Sequence, residues 1–341
     1  MRKGIFTTVI ILLFAGLLVA QERRTTKTGT TAAQFLKIGV HAGGMGMGES
    51  AVAFPSSLSA LHWNPAGLSR FNTQEVVFTQ SKWIADTDIL YMAASMNFGR
   101  YGTVGAYMTT LDYGDNMLVR TEEKPLGTGE RFSARDLDMG ISYASNLTDR
   151  FSIGGTVKFV SQQIWHMTAQ TMALDLGALF ITPLKDIRLG MSITNFGGKM
   201  QPSGRDVRFY ADPDPILYGN NDQIPANYEL SSWAIPQTFR VGLSGDVGSL
   251  KTMKLTWAVD ALHPSDNSEY INVGAELSVM ERLFLRAGWR TLFAVDREGG
   301  MSMGAGIKHA FSPNFKIKLD YAYVDYGVLN QINMLTFSIL Y

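Results

Sequence analysis

From Glu75 onward, large apolar residues recur at every second position. In MKLTWAVDA (253–261), Met253, Leu255, Trp257, Val259 and Ala261 share one face of an extended chain, and Lys254, Thr256, Ala258 and Asp260 share the other. YINVGAELSV (270–279) and FKIKLDYAY (315–323) repeat the pattern, as do stretches at 137–143, 151–159, 172–180, 187–193 and 239–243. The pattern predicts about fourteen strands. Their connections tend to alternate in length. GRYG (99–102), NLTDR (146–150), TPLKD (182–186), VGSLK (247–251), MER (280–282) and SPN (312–314) are short. Segments 114–133 and 197–235 are long, with lesser loops near Trp165, His263, Asp296 and Tyr326. Tight turns at one end, longer loops at the other and an even strand number predict an all-β fold: a closed antiparallel transmembrane β-barrel of about 14 strands.

The charges agree with that reading. Asp138, Lys158, Asp175, Arg188, Arg240, Lys254, Asp260, Glu276, Arg286, Arg290, Lys308, Lys316, Lys318 and Asp320 all fall on the polar face of their strands. An Arg or Lys facing lipid at mid-membrane costs about 2–4 kcal/mol, so these groups belong in an enclosed lumen. An open sheet edge in lipid would leave backbone groups unpaired, so the sheet is expected to close. INMLTFSILY, at 332–341, sets Leu335, Phe337, Ile339 and Tyr341 on one face and resembles the C-terminal strand signature of bacterial barrels.

Ahead of the strands come two other kinds of segment. Residues 1–20, a basic MRK followed by GIFTTVIILLFAGLLVA, read as a signal peptide cut after Ala20; an uncleaved anchor is the alternative. Residues 21–72 then form an N-terminal extension and hatch, and residues 73–341 the barrel. Such a barrel is too wide for one layer of side chains to fill, and the small, largely uncharged hatch segment is expected to fold inside it. Gly43, Gly44, Gly46 and Gly48 permit sharp bends and close approach to the wall. A helical turn is expected after Pro55, around 57–62, ending at Asn64 because Pro65 follows. Pro65, Ala66 and Gly67 would then turn the chain into the wall.

Composition narrows the classes further. The 341 residues carry 30 basic and 30 acidic side chains, which argues against a nucleic-acid partner. Cysteine is absent, so no disulfide holds this exported chain. Charged residues are only 18%, beside 34 Gly, 19 Phe, 13 Tyr and 6 Trp, which suits an all-β protein with an apolar exterior.

FLKIGVHAGGMGMGESAVAFPSSLSALHWNPAGLSRF, HPSDNSEYINVGAEL, LFLRAGWR and LDYAYVDYGVLNQINMLTFSILY resemble the PorV/PorQ family of outer-membrane barrels, relatives of the fatty-acid transporter FadL. Asn64, Pro65 and Ala66 match the Asn-Pro-Ala element of its hatch, within a hatch set that includes Gly44, Gly46, Gly48 and Gly67. The loop at 197–235 departs from the family pattern. The resemblance implies a bacterial outer-membrane location and a component of the type IX secretion system that binds exported cargo proteins and helps carry them to the surface. The alternative it implies is a FadL-like transporter of hydrophobic small molecules such as long-chain fatty acids. On the first reading, Tyr210, Ile216, Leu217, Tyr218, Tyr228 and Trp233 are candidates to touch cargo. On the second, Met45, Met47, Phe54, Leu58, Leu61 and Trp63 are candidates to line a ligand path. These six also read simply as the hatch's own core.

Catalysis has little support. The histidines at 41, 62, 166, 263 and 309 are scattered, without metal-ligand spacing. GMGMGES lacks the strand–helix context of a phosphate loop. GMSMG (300–304) places Ser302 in a Gly-x-Ser-x-Gly pattern but precedes an alternating strand, where a nucleophile elbow needs a helix. No enzyme activity, cofactor or metal is expected.

Overall fold

The computed structural model describes residues 27–341, apart from 55–56, 72, 116, 185–186, 215, 217–218, 220, 222, 251 and 295–298, and apart from the side chains of 248–250. The expected signal peptide lies outside the described residues. Fourteen strands form the wall: β1 Glu75–Lys82, β2 Asp88–Asn97, β3 Thr103–Asp112, β4 Ala134–Asn146, β5 Phe151–Ile164, β6 Met167–Ile181, β7 Arg188–Gly197, β8 Thr238–Leu250, β9 Met253–Pro264, β10 Tyr270–Val279, β11 Leu283–Leu292, β12 Met301–Ser312, β13 Phe315–Asp325 and β14 Gln331–Leu340. Each pairs antiparallel with its sequence neighbours. β1 closes on β14 from Glu75–Leu340 to Lys82–Asn333, and Gln74 and Tyr341 exchange two backbone bonds of 3.0 Å beyond that. The cylinder is therefore sealed without a free edge, as lipid requires.

The alternation read from sequence sorts side chains to the two faces. On β13, Leu319 and Tyr321 face out, while Lys318, Asp320, Ala322 and Val324 are buried inside. On β9, Leu255 and Val259 face out, and Thr256, Ala258 and Asp260 face in. β4, β5, β6 and β8 are the longest wall strands, at 13, 14, 15 and 13 residues. The pairing of β6 continues into the 198–237 connection, where Ser203–Gly204 adds to its end.

Two bulges interrupt the wall toward its long-loop end. Between β6 and β7 the register slips at Leu174/Leu176, and between β10 and β11 at Ile271/Val273. In each, a residue of the bulged strand takes a positive φ: Asn195 (61°) and Thr291 (52°). In each, an inward side chain of the neighbouring strand accepts the freed N–H: Asp175 Oδ1 from Asn195 at 2.6 Å, and Asn272 Oδ1 from Thr291 at 2.9 Å. An extra residue in one strand strengthens local twist and re-aims side chains.

The two-faced wall generates a direct expectation. Leu319→Arg, near the middle of β13 on the outer face, should destabilise the barrel folded into lipid vesicles by about 2–4 kcal/mol. A urea titration of vesicle-folded protein reads this out; an unchanged midpoint would mean that this face does not meet hydrocarbon.

Candidate functional site

The lumen is occupied by the chain's own N-terminal segment. At the long-loop end, Ala32 N–H donates to Ala234 O at 2.8 Å. At the short-turn end, Asn97 donates to Phe71 O at 2.7 Å and Arg70 to Asp149 O at 2.7 Å. The hatch thus runs down the barrel from its outer mouth to the start of β1. Two short helices interrupt it, α1 Ala42–Gly46 and α2 Ala60–Trp63. α2 ends at Asn64, which is extended as expected. Pro65, however, does not turn the chain straight into the wall. It opens a 3₁₀ helix over Pro65–Arg70, because its fixed φ suits a first helical position and Asn64 Oδ1 caps Ala66 N–H at 3.1 Å.

Asn64 also fastens this corner. Its Nδ2 donates to Val52 O within the hatch at 2.8 Å and to Ala178 O in β6 at 3.0 Å. The corner lies so close to the wall that a Cβ at Gly154 would sit 2.6 Å from Ala66 N, so only glycine fits there. Gly48 takes φ +66° against the β10–β11 wall, where a Cβ would meet Trp289 N at 2.7 Å. Other anchors are wall side chains on hatch backbone. Thr336 accepts from Ala42 N–H at 2.9 Å, Asp260 from Val52 N–H at 2.9 Å and Glu75 from Leu58 N–H at 2.9 Å. Ser244 donates to Ala53 O at 2.6 Å and Ser192 to Trp63 O at 2.8 Å.

The six apolar hatch residues are all buried but do not surround one cavity. Met45 packs with Ala322 and Met334; Met47 and Phe54 with Ala258; Leu58 and Leu61 with Val77 and Tyr91; Trp63 with Ala51 and Val52. Five of them meet the stretch of wall nearest to them as the hatch winds past, and Trp63 packs within the hatch itself.

Most lumen charges are paired. Arg286 bridges Glu276 (2.6 Å) and Asp320 (2.7 Å), and Lys318 adds to Asp320 at 2.9 Å. Arg290 reaches Glu49 of the hatch at 3.2 Å, and Lys158 reaches Asp175 at 2.9 Å. Lys254 is half-exposed on Asp246 at 3.1 Å near the short turns, and Lys316 is partly exposed at the same end. Arg240 is buried and enters none of these pairs.

Neither serine of interest is set up as a nucleophile. Ser302 stands inside β12 and donates to Gly46 O at 3.3 Å. Ser57 lies 3.0 Å from His41 Nε2, but His41 Nδ1 accepts Gly43 N–H at 2.9 Å. The neutral ring therefore carries its proton on Nε2 and cannot take one from Ser57. Burial pushes this imidazole down to about 3, which keeps it neutral.

The outer mouth holds a feature the sequence reading missed. Residues 31–37 cross it as a strap. Phe35 and Leu36 pack into an apolar layer with Val160, Met200 and Ile235. Thr31, Gln34 and Lys37 converge on buried Asp266, in the β9–β10 loop, at 2.8, 2.7 and 2.9 Å. No local signal marks a loop aspartate as the partner of residues more than two hundred positions away. In the 198–237 connection, Arg208–Ala211 pairs with Ile224–Asn227 as a projecting hairpin. Phe209 stacks on Tyr228 at 4.5 Å, and Tyr210 (71%), Tyr228 (61%) and Ile216 (88%) are exposed. Trp233 instead pairs back to Met200 at the mouth. Leu217 and Tyr218 lie outside the described residues.

No protein-family model matches the sequence, and no curated protein does. Solved structures do match its fold. The toluene transporter TbuX of Ralstonia pickettii is 15% identical, with a TM-score of 0.53, over 89% of this chain and 97% of that one. The toluene transporter TodX of Pseudomonas putida is 13% identical, with a TM-score of 0.54, over 90% and 98%. A FadL homologue of Pseudomonas aeruginosa is 11% identical, with a TM-score of 0.52, over 89% and 98%. The chain thus has the fold of FadL-type outer-membrane barrels.

The strap is testable because the chain has no cysteine. A single Ala33→Cys, buried in the strap, should react slowly with dipyridyl disulfide. Adding Asp266→Ala should speed labelling about tenfold or more, since a hydrogen bond to a charged group contributes about 1.5–3 kcal/mol. Although burial works against ionisation, the hydrogen bonds of Gln34, Lys37 and Thr31 hold the Asp266 carboxyl below the ordinary carboxylate range. Its contribution is therefore complete above the ordinary aspartate value of about 4 and is lost as pH falls through the lowered one. Acid should accelerate labelling with Asp266 present and not in its absence.

Proposed function

We propose that this protein is a bacterial outer-membrane barrel that passes hydrophobic small molecules through its lumen. The observation supporting this reading is the architecture: a closed fourteen-strand wall with the N-terminal segment folded inside, shared along nine-tenths of the chain with hydrocarbon transporters. The interior chemistry is compatible with it. An apolar layer lies at the outer mouth, and the hatch below is held to the wall by discrete hydrogen bonds. Such bonds each contribute about 1 kcal/mol net, so sections of the hatch can detach while the wall stays closed. In this reading Met45, Met47, Phe54, Leu58, Leu61 and Trp63 flank the path opened when the hatch shifts.

Uptake of labelled toluene or decanoate into vesicles bearing the protein should exceed uptake into empty vesicles. Tying the hatch to the wall should block it. Ala42 N–H and Thr336 Oγ1 are 2.9 Å apart, so Ala42→Cys with Thr336→Cys offers a reversible cross-link. Uptake that ceases on oxidation and returns on reduction fits the proposal; uptake no faster than in empty vesicles ends it.

The projecting hairpin favours a second reading, as a cargo carrier of the type IX secretion system. Exposed aromatics at a two-stranded arm suit protein binding; Tyr210 and Tyr228 are presented in this way, and Ile216 is exposed in the connection between the two strands. Replacing residues 209–227 by a short Gly-Ser turn leaves the Trp233–Met200 pairing in place. On this reading the variant loses secreted proteins that the intact barrel retains through their C-terminal domains. Equal recovery with both barrels would rule the reading out.

A further inference from the structure

Beneath α1 the two sides of the lumen differ. The Pro65–Arg70 helix, which ends the hatch, packs on β3–β6. On the facing side, α1 packs against Gly304 of β12 and Ala322 of β13. Further along these strands, toward the short turns, the inner face carries Lys308, Lys316 and Lys318 around Phe284 of β11. The Phe284 ring has Lys318 Nζ at 5.0 Å, Arg286 Cζ at 5.4 Å and Lys308 Nζ at 5.6 Å from its centre. Solvent enters this recess from the turns: the Arg286 side chain is 1% exposed, Lys318 7% and Lys308 26%.

The recess holds more positive charge than its own carboxylates answer. Lys308 stands directly opposite Lys318 in the β12–β13 pairing, and its N–H donates to Arg282 O at 2.7 Å. Arg282, Lys308 and Lys318 therefore form one row across three strands, and like charges set directly opposite are unfavourable. Glu276 and Asp320 are engaged by Arg286, and Asp320 by Lys318 as well. Glu75, whose charge also reaches Lys318, accepts Leu58 N–H. Glu281 meets Lys308 only at 4.0 Å and is 89% exposed. Glu276 acts on Lys308 too, but Lys316 and Lys318 act on it with the opposite sign. Arg282 and Lys316 enter no ion pair among the described residues.

Three features select what would fill the recess. The lysines face the lumen, so lipid headgroups around the outer wall do not reach them. The row crosses strands roughly 4.8 Å apart, and Lys316 adds a charge roughly 6.6 Å along β13, a span beyond one carboxylate. An extended chain sets its alternate side chains at that same spacing of roughly 6.6 Å. Finally, short turns face the periplasm, so the recess opens to proteins of that compartment.

We propose that this recess docks an extended acidic segment of a periplasmic protein, whose successive carboxylates pair with Lys308, Lys316 and Arg282 beneath α1. The proposal is independent of what passes through the lumen.

The test uses the full barrel in a neutral detergent and two fluorescent octapeptides, one alternating Asp with Ser and one alternating Lys with Ser, read by anisotropy. The Asp peptide should bind and should weaken as salt is raised; the Lys peptide should not bind. Lys308→Gln with Lys316→Gln should weaken the Asp peptide about fivefold or more. Lys308→Glu with Lys316→Glu should lose the Asp peptide and gain the Lys peptide. Arg100→Gln with Arg150→Gln, exposed in the β2–β3 and β4–β5 turns of the same rim, should leave binding unchanged. Heat-modifiable migration on a gel verifies that each variant is folded, and if the charge-reversed barrel does not fold, the two Gln pairs carry the test. Equal weakening by the Arg100 and Arg150 pair would mean diffuse rim charge and overturns the site. Displacement of the peptide by acetate or by dihexanoyl-phosphatidylglycerol, at an equal concentration of charge, would assign the recess to single anions or to headgroups and also overturns it. An Asp peptide that does not bind ends the proposal.

Discussion

Everything in this barrel follows from the pairing of β1 with β14. In hydrocarbon an unpaired backbone N–H or C=O has no water to turn to, so a sheet can face lipid only when its first and last strands meet. Once they do, each strand has an outside and an inside, and the side-chain period of two assigns every residue to one of them. Leu319 goes to lipid and its neighbour Asp320 to the lumen with no further choice available. The lumen so formed collects the strand charges, and those charges need partners. Some come from other strands, as with Arg286, Glu276 and Asp320, and some from the hatch, as with Arg290 and Glu49.

The hatch meets the wall in a way that follows from the same constraint. A segment with little regular secondary structure, buried in a barrel, must satisfy its backbone groups from somewhere. Its own tight turns and short helices meet many of them, and inward wall side chains, among them Thr336, Asp260, Glu75, Ser244 and Ser192, meet others. The wall thus uses its polar face twice, for ion pairs and for hatch backbone. The two bulges belong to the same economy of groups. Asp175 both holds Lys158 and accepts the N–H freed at Asn195, and Asn272 accepts the N–H freed at Thr291. An inward Asp or Asn beside a positive-φ residue lets each strand bend without leaving a buried donor orphaned.

The sequence carried much of this and not the rest, for physical reasons. Alternation survives averaging over nine or ten residues, so the strands, the closed barrel and the inward side of Asp260, Arg286 and Lys318 were legible. Asn64 was legible as a helix stop because the restriction imposed by Pro65 is local. Partnership was not. Which cation meets which carboxylate depends on strand register and on the path of the hatch, so nothing near Asp266 foretells Thr31, Gln34 and Lys37. The six apolar hatch residues look alike in sequence. They separate into distinct clusters because the winding chain turns Met45, the Met47–Phe54 pair and the Leu58–Leu61 pair to different parts of the wall and folds Trp63 against the hatch itself.

The anchoring is also unequal along the hatch, and this sets the order in which it would yield. At the short-turn end the Asn64 corner combines three hydrogen bonds with backbone pressed onto Gly154, and the next residues are continuous with β1. Releasing that corner would break several bonds at once and expose buried carbonyls, each costing about 1–3 kcal/mol if left unmet. At the outer mouth the strap's side-chain bonds converge on a single carboxylate, Asp266, beside a half-exposed lysine. Water can replace those contacts as they break, because the donors Gln34, Thr31 and Lys37 are exposed or partly exposed. Local opening follows the lowest-cost boundary, so motion should begin at the strap and travel inward, with the Asn64 corner moving last.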